Sequence, residues 1–155
     1  MTLQIFAILV IGLMCGSELN VATFAHPMLN RQPLEVHILV RSLFAALFGH
    51  VMPFWMAGSA LLNLLLLLPF EHLNSSAWHL AAIAFAIQVI GLLFSLAGPV
   101  PINNRIIKWT PGSLPSDWKA QEHRWDLYHW LRTCGLVVAF ALLVFSIGIR
   151  CTVNS

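Results

Sequence analysis

VMPFWMAGSALLNLLLLLPF, residues 51–70, runs for 20 positions without a charged side chain and holds five consecutive leucines at 64–68. About 20 apolar residues in helical form cross the roughly 30 Å hydrocarbon layer of a bilayer. The stretch therefore reads as a spanning helix. Composition extends that reading to the whole chain. Of 155 residues, 59% are hydrophobic and 9% charged, against roughly 25% charged in soluble domains. Mean hydropathy is +0.81. No water-soluble fold of this length buries so much apolar surface, so a lipid bilayer is the expected surrounding. The length suits a single membrane domain, 1–155. A net charge of +2 gives no ground for a nucleic-acid partner.

Working outward, residues 3–25 are 23 mostly apolar positions interrupted by Gln4, Glu18 and Asn20. They read as a first span, closed by Pro27, which disfavours helix at the residue before it. No Lys or Arg precedes this run, so it reads as a retained helix rather than a secretory signal. Residues 26–41 form a polar connection. Helical periodicity resumes at Leu34 and predicts a short interfacial helix leading into the second span, about 48–70. A polar turn at 71–76 leads to a third span, about 77–98, ended by Pro99 and Pro101. Residues 103–124 are the longest loop, with turns at Pro111, Gly112 and Pro115 and a second interfacial helix from Ser116-Asp117-Trp118. The fourth span is about 125–149.

The expected fold is all-α: an integral membrane four-helix bundle, up-down-up-down, with a short interfacial helix in the first and third connections. Lys/Arg bias sets the expected orientation. The first and third connections hold Arg31, Arg41, Arg105, Lys108, Lys119 and Arg124, while the other side holds Arg150. Cytoplasmic loops carry the excess, so both termini are expected on the non-cytoplasmic side of a multi-pass protein. Cys15, Cys134 and Cys151 form no CxxC pair, and Cys15 and Cys134 fall inside apolar runs as packing residues. A homo-oligomer is compatible with such a chain.

This topology brings the unusual residues to one membrane side: Glu18, His26, His50, Asn103-Asn104-Arg105, Asp126, His129 and Arg132. A carboxylate inside a span costs roughly 2.5–3.5 kcal/mol on insertion scales, so Glu18 is expected to face the bundle and mark a site. Glu18, Ala22 and His26 share one helical face if helix continues that far. Trp125, His129 and Arg132 share a stripe of the fourth span. His129 and Arg132 suit an anionic ligand or an oxyanion, with Asn103 and Asn104 as further donors. The catalytic candidates are thus His129, Arg132, Glu18, Asn103 and Asn104. Substrate binding falls to Trp125, Trp130, Arg105 and His26. The Trp residues of the loop otherwise belong to the interface belt. His37 and His123 read as exposed, and His72 and His79 as structural. Seven His without HxxxH, HxH or CxxCH leave His26, His50 and His129, from different helices, as the metal-ligand candidates. The cofactor stays open between none and a haem or metal.

PINNRI at 101–106, followed by Trp125, His129 and Arg132 in a W-x3-H-x2-R pattern, resembles the anthrone oxygenase-like integral membrane family, as does AHPML at 25–29. The resemblance implies oxidation of the methylene of a hydrophobic aromatic anthrone to a quinone carbonyl with molecular oxygen. It carries Asn103, Asn104, Trp125, His129 and Arg132 as matching positions. The alternatives are a haem- or metal-binding membrane oxidoreductase of another substrate class, and a non-enzymatic lipid- or quinone-binding accessory protein.

Overall fold

A computed structural model describes residues 2–68 and 75–153. Helix α1 is Thr2–Leu29, α2 is Leu34–Leu66, α3 is Ser75–Ala97, α4 is Pro99–Ile106 and α5 is Trp118–Val153. Among the described residues there is no strand beyond one isolated bridge between Thr110 and Ser113 in a turn. Four helical stretches are long and apolar enough to cross a membrane: α1, α2, α3 continued by α4, and α5. The protein is an all-α membrane four-helix bundle. The four packed pairs α1·α2, α2·α3, α3·α5 and α5·α1 close a ring. The turn at 71–74 with His72, and the side chain of Arg150, lie outside the described residues.

The bundle inverts the pattern of a soluble helix. In α2, Leu39, Leu43 and Leu47 are exposed while His37, Arg41 and Ala45 are buried. Lipid solvates a leucine as well as a core does, so apolar side chains need not face inward; polar ones must. The interior accordingly takes polar side chains beside an apolar core. Ala7, Ile11, Met14, Met56, Ala81, Ala84, Leu136 and Leu143 pack together, with Met56 reaching the wall of the site's cavity. Among them Ser59 Oγ donates to Gln88 Oε1 at 3.3 Å. Val21, Ile38, Ala45, Ile102, Ile106, Trp109 and Trp125 form a second cluster.

Three local readings differ from the structure. Pro27, read as the end of the first span, lies inside α1. A π-helical turn, Val21–Ala25, precedes it, and His26–Leu29 resumes α-helix with Pro27 in its first turn. The wide turn and the new start absorb the missing N–H and the ring, which would break an ordinary helix. The polar connection read over 26–41 shrinks to residues 30–33, because α2 starts at Leu34 and runs unbroken through Pro53. The long loop read over 103–124 shrinks to residues 107–117. Asn103 to Ile106 close α4, and 118–124 are the first turns of α5.

The bend between α3 and α4 is made at Gly98. A Cβ there would lie 2.9 Å from Tyr128 Cδ2, closer than real Cβ atoms approach anything. Tyr128 in turn packs edge-on against Phe94, ring centroids 5.2 Å apart. This glycine lets α4 pack close to α5, with Asn103 buried in the bundle.

Candidate active site

Two polar clusters lie at the end of the bundle where α1 finishes and α2 and α5 begin. The deeper one is built on Glu18, which is 1% exposed. Arg132 Nη2 donates to its Oε2. His129 Nδ1 stands 3.0 Å from the same oxygen and 3.0 Å from Arg132 Nη2. His129 Nε2 lies 3.1 Å from the main-chain carbonyl of Glu18, so it carries a hydrogen and donates. Nδ1 is the two-way atom: it accepts from Arg132 when bare and donates to Glu18 when protonated. Arg132 Nη1 is anchored by Ser95 Oγ at 3.2 Å. Glu18 Oε1 and the Arg132 Nε–H are buried without a hydrogen-bond partner.

These groups line a cavity of ≈ 20 Å³ with Met52, Asn103 and Trp125 among its walls. That is room for one water-sized molecule. Gly49 opens the wall opposite Asn103, since a Cβ there would sit 3.3 Å from Asn103 Nδ2.

The second cluster is built on Arg41, 2% exposed and the bulkiest of the fully buried side chains. It donates to Asp126 Oδ1 at 2.8 Å and to His26 Nδ1 at 2.6 Å. Its Nε lies 3.3 Å from Glu122 Oε1. His37 Nε2 reaches the same Glu122 oxygen at 2.7 Å, and its Nδ1 lies 3.1 Å from the carbonyl of Leu29. A buried guanidinium with two carboxylates meets the requirement that buried charges be paired. Trp125 joins the two clusters. Its ring stacks on His129 at 4.7 Å and 13°, tilts against His26 at 4.8 Å, and lies 4.7 Å from the Arg41 guanidinium carbon.

The fold thus brings together Glu18, His26, Asn103, Trp125, His129 and Arg132, which the sequence leaves up to 114 positions apart. Others it does not. Asn104 and Arg105 are exposed on the outer side of α4. Trp130 is half-exposed and edges a second, polar cavity of ≈ 90 Å³ that also touches His26, Asp126 and His129. His50 is exposed and turned back on the Ala46 carbonyl, 3.0 Å away.

The three His candidates do not converge as a ligand set for a metal ion. His26 Nδ1 and both nitrogens of His129 are held by protein groups, and the two rings stand 6.1 Å apart. Among the described residues no group of three or more His, Cys, Asp or Glu side chains could hold a metal ion.

His37, read as exposed, is buried and bonded at both ring nitrogens. Trp109, assigned to the interface belt, is buried against Trp118, ring centroids 6.3 Å apart. Glu122, in the part of the loop read as inert, holds Arg41 and His37. Arg41 itself was counted only as a topology charge. The signal for it was present: His37, Arg41 and Ala45 recur at intervals of four, opposite the leucines of the same helix.

Fold and site together define a multi-pass membrane protein with a buried carboxylate–imidazole–guanidinium group between its helices. The chain belongs to the anthrone oxygenase family, whose profile matches residues 40–142. Arg41, Asn103, Trp125, His129 and Arg132 lie within the matched part; Glu18 and His26 precede it. No curated protein and no solved structure matches the chain.

Proposed function

We propose that the protein is a membrane monooxygenase that converts an anthrone-like aromatic methylene to a carbonyl with molecular oxygen, at the Glu18–His129–Arg132 group. The observation that carries the reading is the bare oxygen of Glu18. It is a buried carboxylate atom with no partner, on the wall of a small cavity, while its twin oxygen is held by Arg132 and His129.

The chemistry needs a base, an oxyanion partner and dry surroundings. The ≈ 20 Å³ cavity must widen to admit the edge of the ring; Glu18 Oε1 then takes a proton from the activated methylene, whose electron pair spreads onto the ring carbonyl as an enolate. Arg132 and Asn103 supply the donors that such an oxyanion requires, in a medium where each donor counts for more than in water. Oxygen adds to the carbanion carbon and forms a C–O bond. A second proton leaves that carbon, the O–O bond breaks, and water departs with the quinone carbonyl left behind. One anthrone and one oxygen molecule give one quinone and one water. His129 Nδ1, 3.0 Å from Oε2, receives the proton once the carboxyl group turns over and brings its protonated oxygen to that position. The ≈ 90 Å³ cavity beside His129 shares Asn30 and Asp126 with an open polar mouth, which offers water a way out for it.

Trp125 is already covered by His129, His26 and Arg41, so its part is to hold the imidazole rather than to stack on substrate. Arg31, Arg41, Arg105, Lys108, Lys119 and Arg124, in the two connections at this end and the helix turns beside them, against Arg150 support a cytoplasmic position for this end, with both termini opposite.

The test is oxygen uptake by the purified protein in lipid nanodiscs supplied with an anthrone, with its absorption spectrum recorded. Uptake matched by quinone formation is expected. His129→Ala and Arg132→Ala should each lower kcat by about a hundredfold or more. If both variants turn over like the parent, the site is elsewhere. A Soret band would assign the chemistry to haem, and ligand binding without any turnover would make the protein an accessory carrier.

A further inference from the structure

A second hollow lies outside the bundle. Between α3 and α5 a groove of ≈ 200 Å³ opens on the lipid-facing surface, rimmed by Ile90, Phe94 and Leu131. Ile90 and Leu131 are 65% and 57% exposed. Two glycines, Gly91 on α3 and Gly135 on α5, line it and leave it without side chains at those positions. A Cβ on Gly135 would meet Ile87 Cγ2 at 3.6 Å, and one on Gly91 would meet Met56 Cε at 3.7 Å and Arg132 Cγ at 4.0 Å. Its one polar lining residue is Arg132, which also lines the small cavity holding Glu18.

An arginine at the foot of a lipid-facing groove needs a reason. Its terminal nitrogens are spent on Glu18, His129 and Ser95, but its Nε–H is buried and unpartnered. A lipid acyl chain has no acceptor to offer, and an unmet donor in hydrocarbon is costly. The inner cavity, at ≈ 20 Å³, has no room for a ring system as it stands, so a ring needs a resting place outside it until the walls part. A ligand dissolved in the bilayer, flat enough for a glycine-floored slot and bearing one oxygen acceptor, answers both.

We propose that the Gly91–Gly135 groove is the docking site and lateral portal for a planar, membrane-dissolved aromatic ketone, whose oxygen takes the free N–H of Arg132 before the ring passes to Glu18. This deepens the oxygenase reading and rests on it for the identity of the ligand. Arg132 then has two roles, as recognition donor on the lipid side and oxyanion partner on the inner side. Substrate comes from the membrane, and the proton leaves by the polar mouth at the other flank.

The experiment is photolabelling of the full chain in nanodiscs with a benzophenone, a diaryl ketone that inserts into nearby C–H bonds. Adducts are mapped by mass spectrometry over a range of probe concentrations. Saturable labelling at Ile87, Ile90 and Leu131, displaced by an anthrone and lowered about tenfold by Gly135→Leu, is expected. Gly58→Leu, at a glycine with nothing within 4 Å, is the control on a different helix. Labelling that rises linearly with probe and spreads over exposed residues such as Leu9 and Val138 would make the groove a lipid-filled crease and overturn the proposal. The parent's map needs no variant, so a misfolded Gly135→Leu leaves it decided. Saturable labelling without oxygen uptake would sink the enzymatic reading and keep the docking site. Uptake with linear labelling would do the reverse.

Discussion

Neutralising Glu18 is the sharpest perturbation this bundle offers. Glu18→Gln keeps shape and one acceptor oxygen but leaves Arg132, 8% exposed, as an uncompensated buried cation. Removing one member of a buried ion pair costs about 3–5 kcal/mol. Arg132→Met removes the other member and strands the carboxylate, at a similar cost of about 3–5 kcal/mol. Independent effects would sum to about 6–10 kcal/mol. The double variant strands neither charge, and an apolar pair of similar volume is about neutral relative to a buried salt bridge. The Ser95 hydroxyl and His129 Nδ1 each lose one partner, at about 1 kcal/mol apiece. The double variant should therefore sit within about 2–3 kcal/mol of the parent, a coupling of at least about 3 kcal/mol. Reversible unfolding in mixed micelles under rising dodecyl sulfate measures all four corners of the cycle. Additive losses would show that the two side chains do not share a buried charge, and the site as drawn would fall. A folded double variant that still oxidised an anthrone would spare the cluster but end its catalytic role.

Three further outcomes follow from the same structure. Arg41→Lys should lose about 2–3 kcal/mol by the same unfolding assay, because a point charge cannot meet Asp126, Glu122 and His26 at once as a planar fork does; a neutral result would mean the network only decorates the interface. Gly98→Ala should cost about 1–3 kcal/mol, since Tyr128 must move out of a 2.9 Å contact, and Tyr128→Ala in the same chain should recover part of that loss. His50→Ala should change stability by less than about 0.5 kcal/mol and leave turnover alone, the side chain being exposed and bonded only to its own helix; a loss of activity would return His50 to the site.

Much of this was legible before any fold. Twenty uncharged residues at 51–70 and three further apolar runs demanded spanning helices, because the bilayer asks only for length and hydrophobicity. Glu18, His129 and Arg132 stood out because charge inside a span is expensive, which makes each such residue conspicuous by type alone. Arg41, His37 and Glu122 escaped notice because they lie in the first turns of helices that the sequence breaks at the membrane surface. There a charge is ordinary, and a positive-inside reading accounts for it without burial.

Sequence by itself thus determined the class: an all-α membrane chain of the anthrone oxygenase family, with polar residues gathered at one end. It did so because periodicity, length and the cost of charge in lipid act along the chain. Only the tertiary structure decided which members of each polar pair point inward. It buried Asn103 and exposed Asn104, kept His26 on the bundle face through a π turn, and turned His50 away. It also formed the inner cavity and the groove beside it. Those outcomes depend on helix rotation, on the close approach at Gly98 and on what packs at Gly91 and Gly135. Rotation and close approach are set by partners over thirty residues away, and no local stretch encodes them.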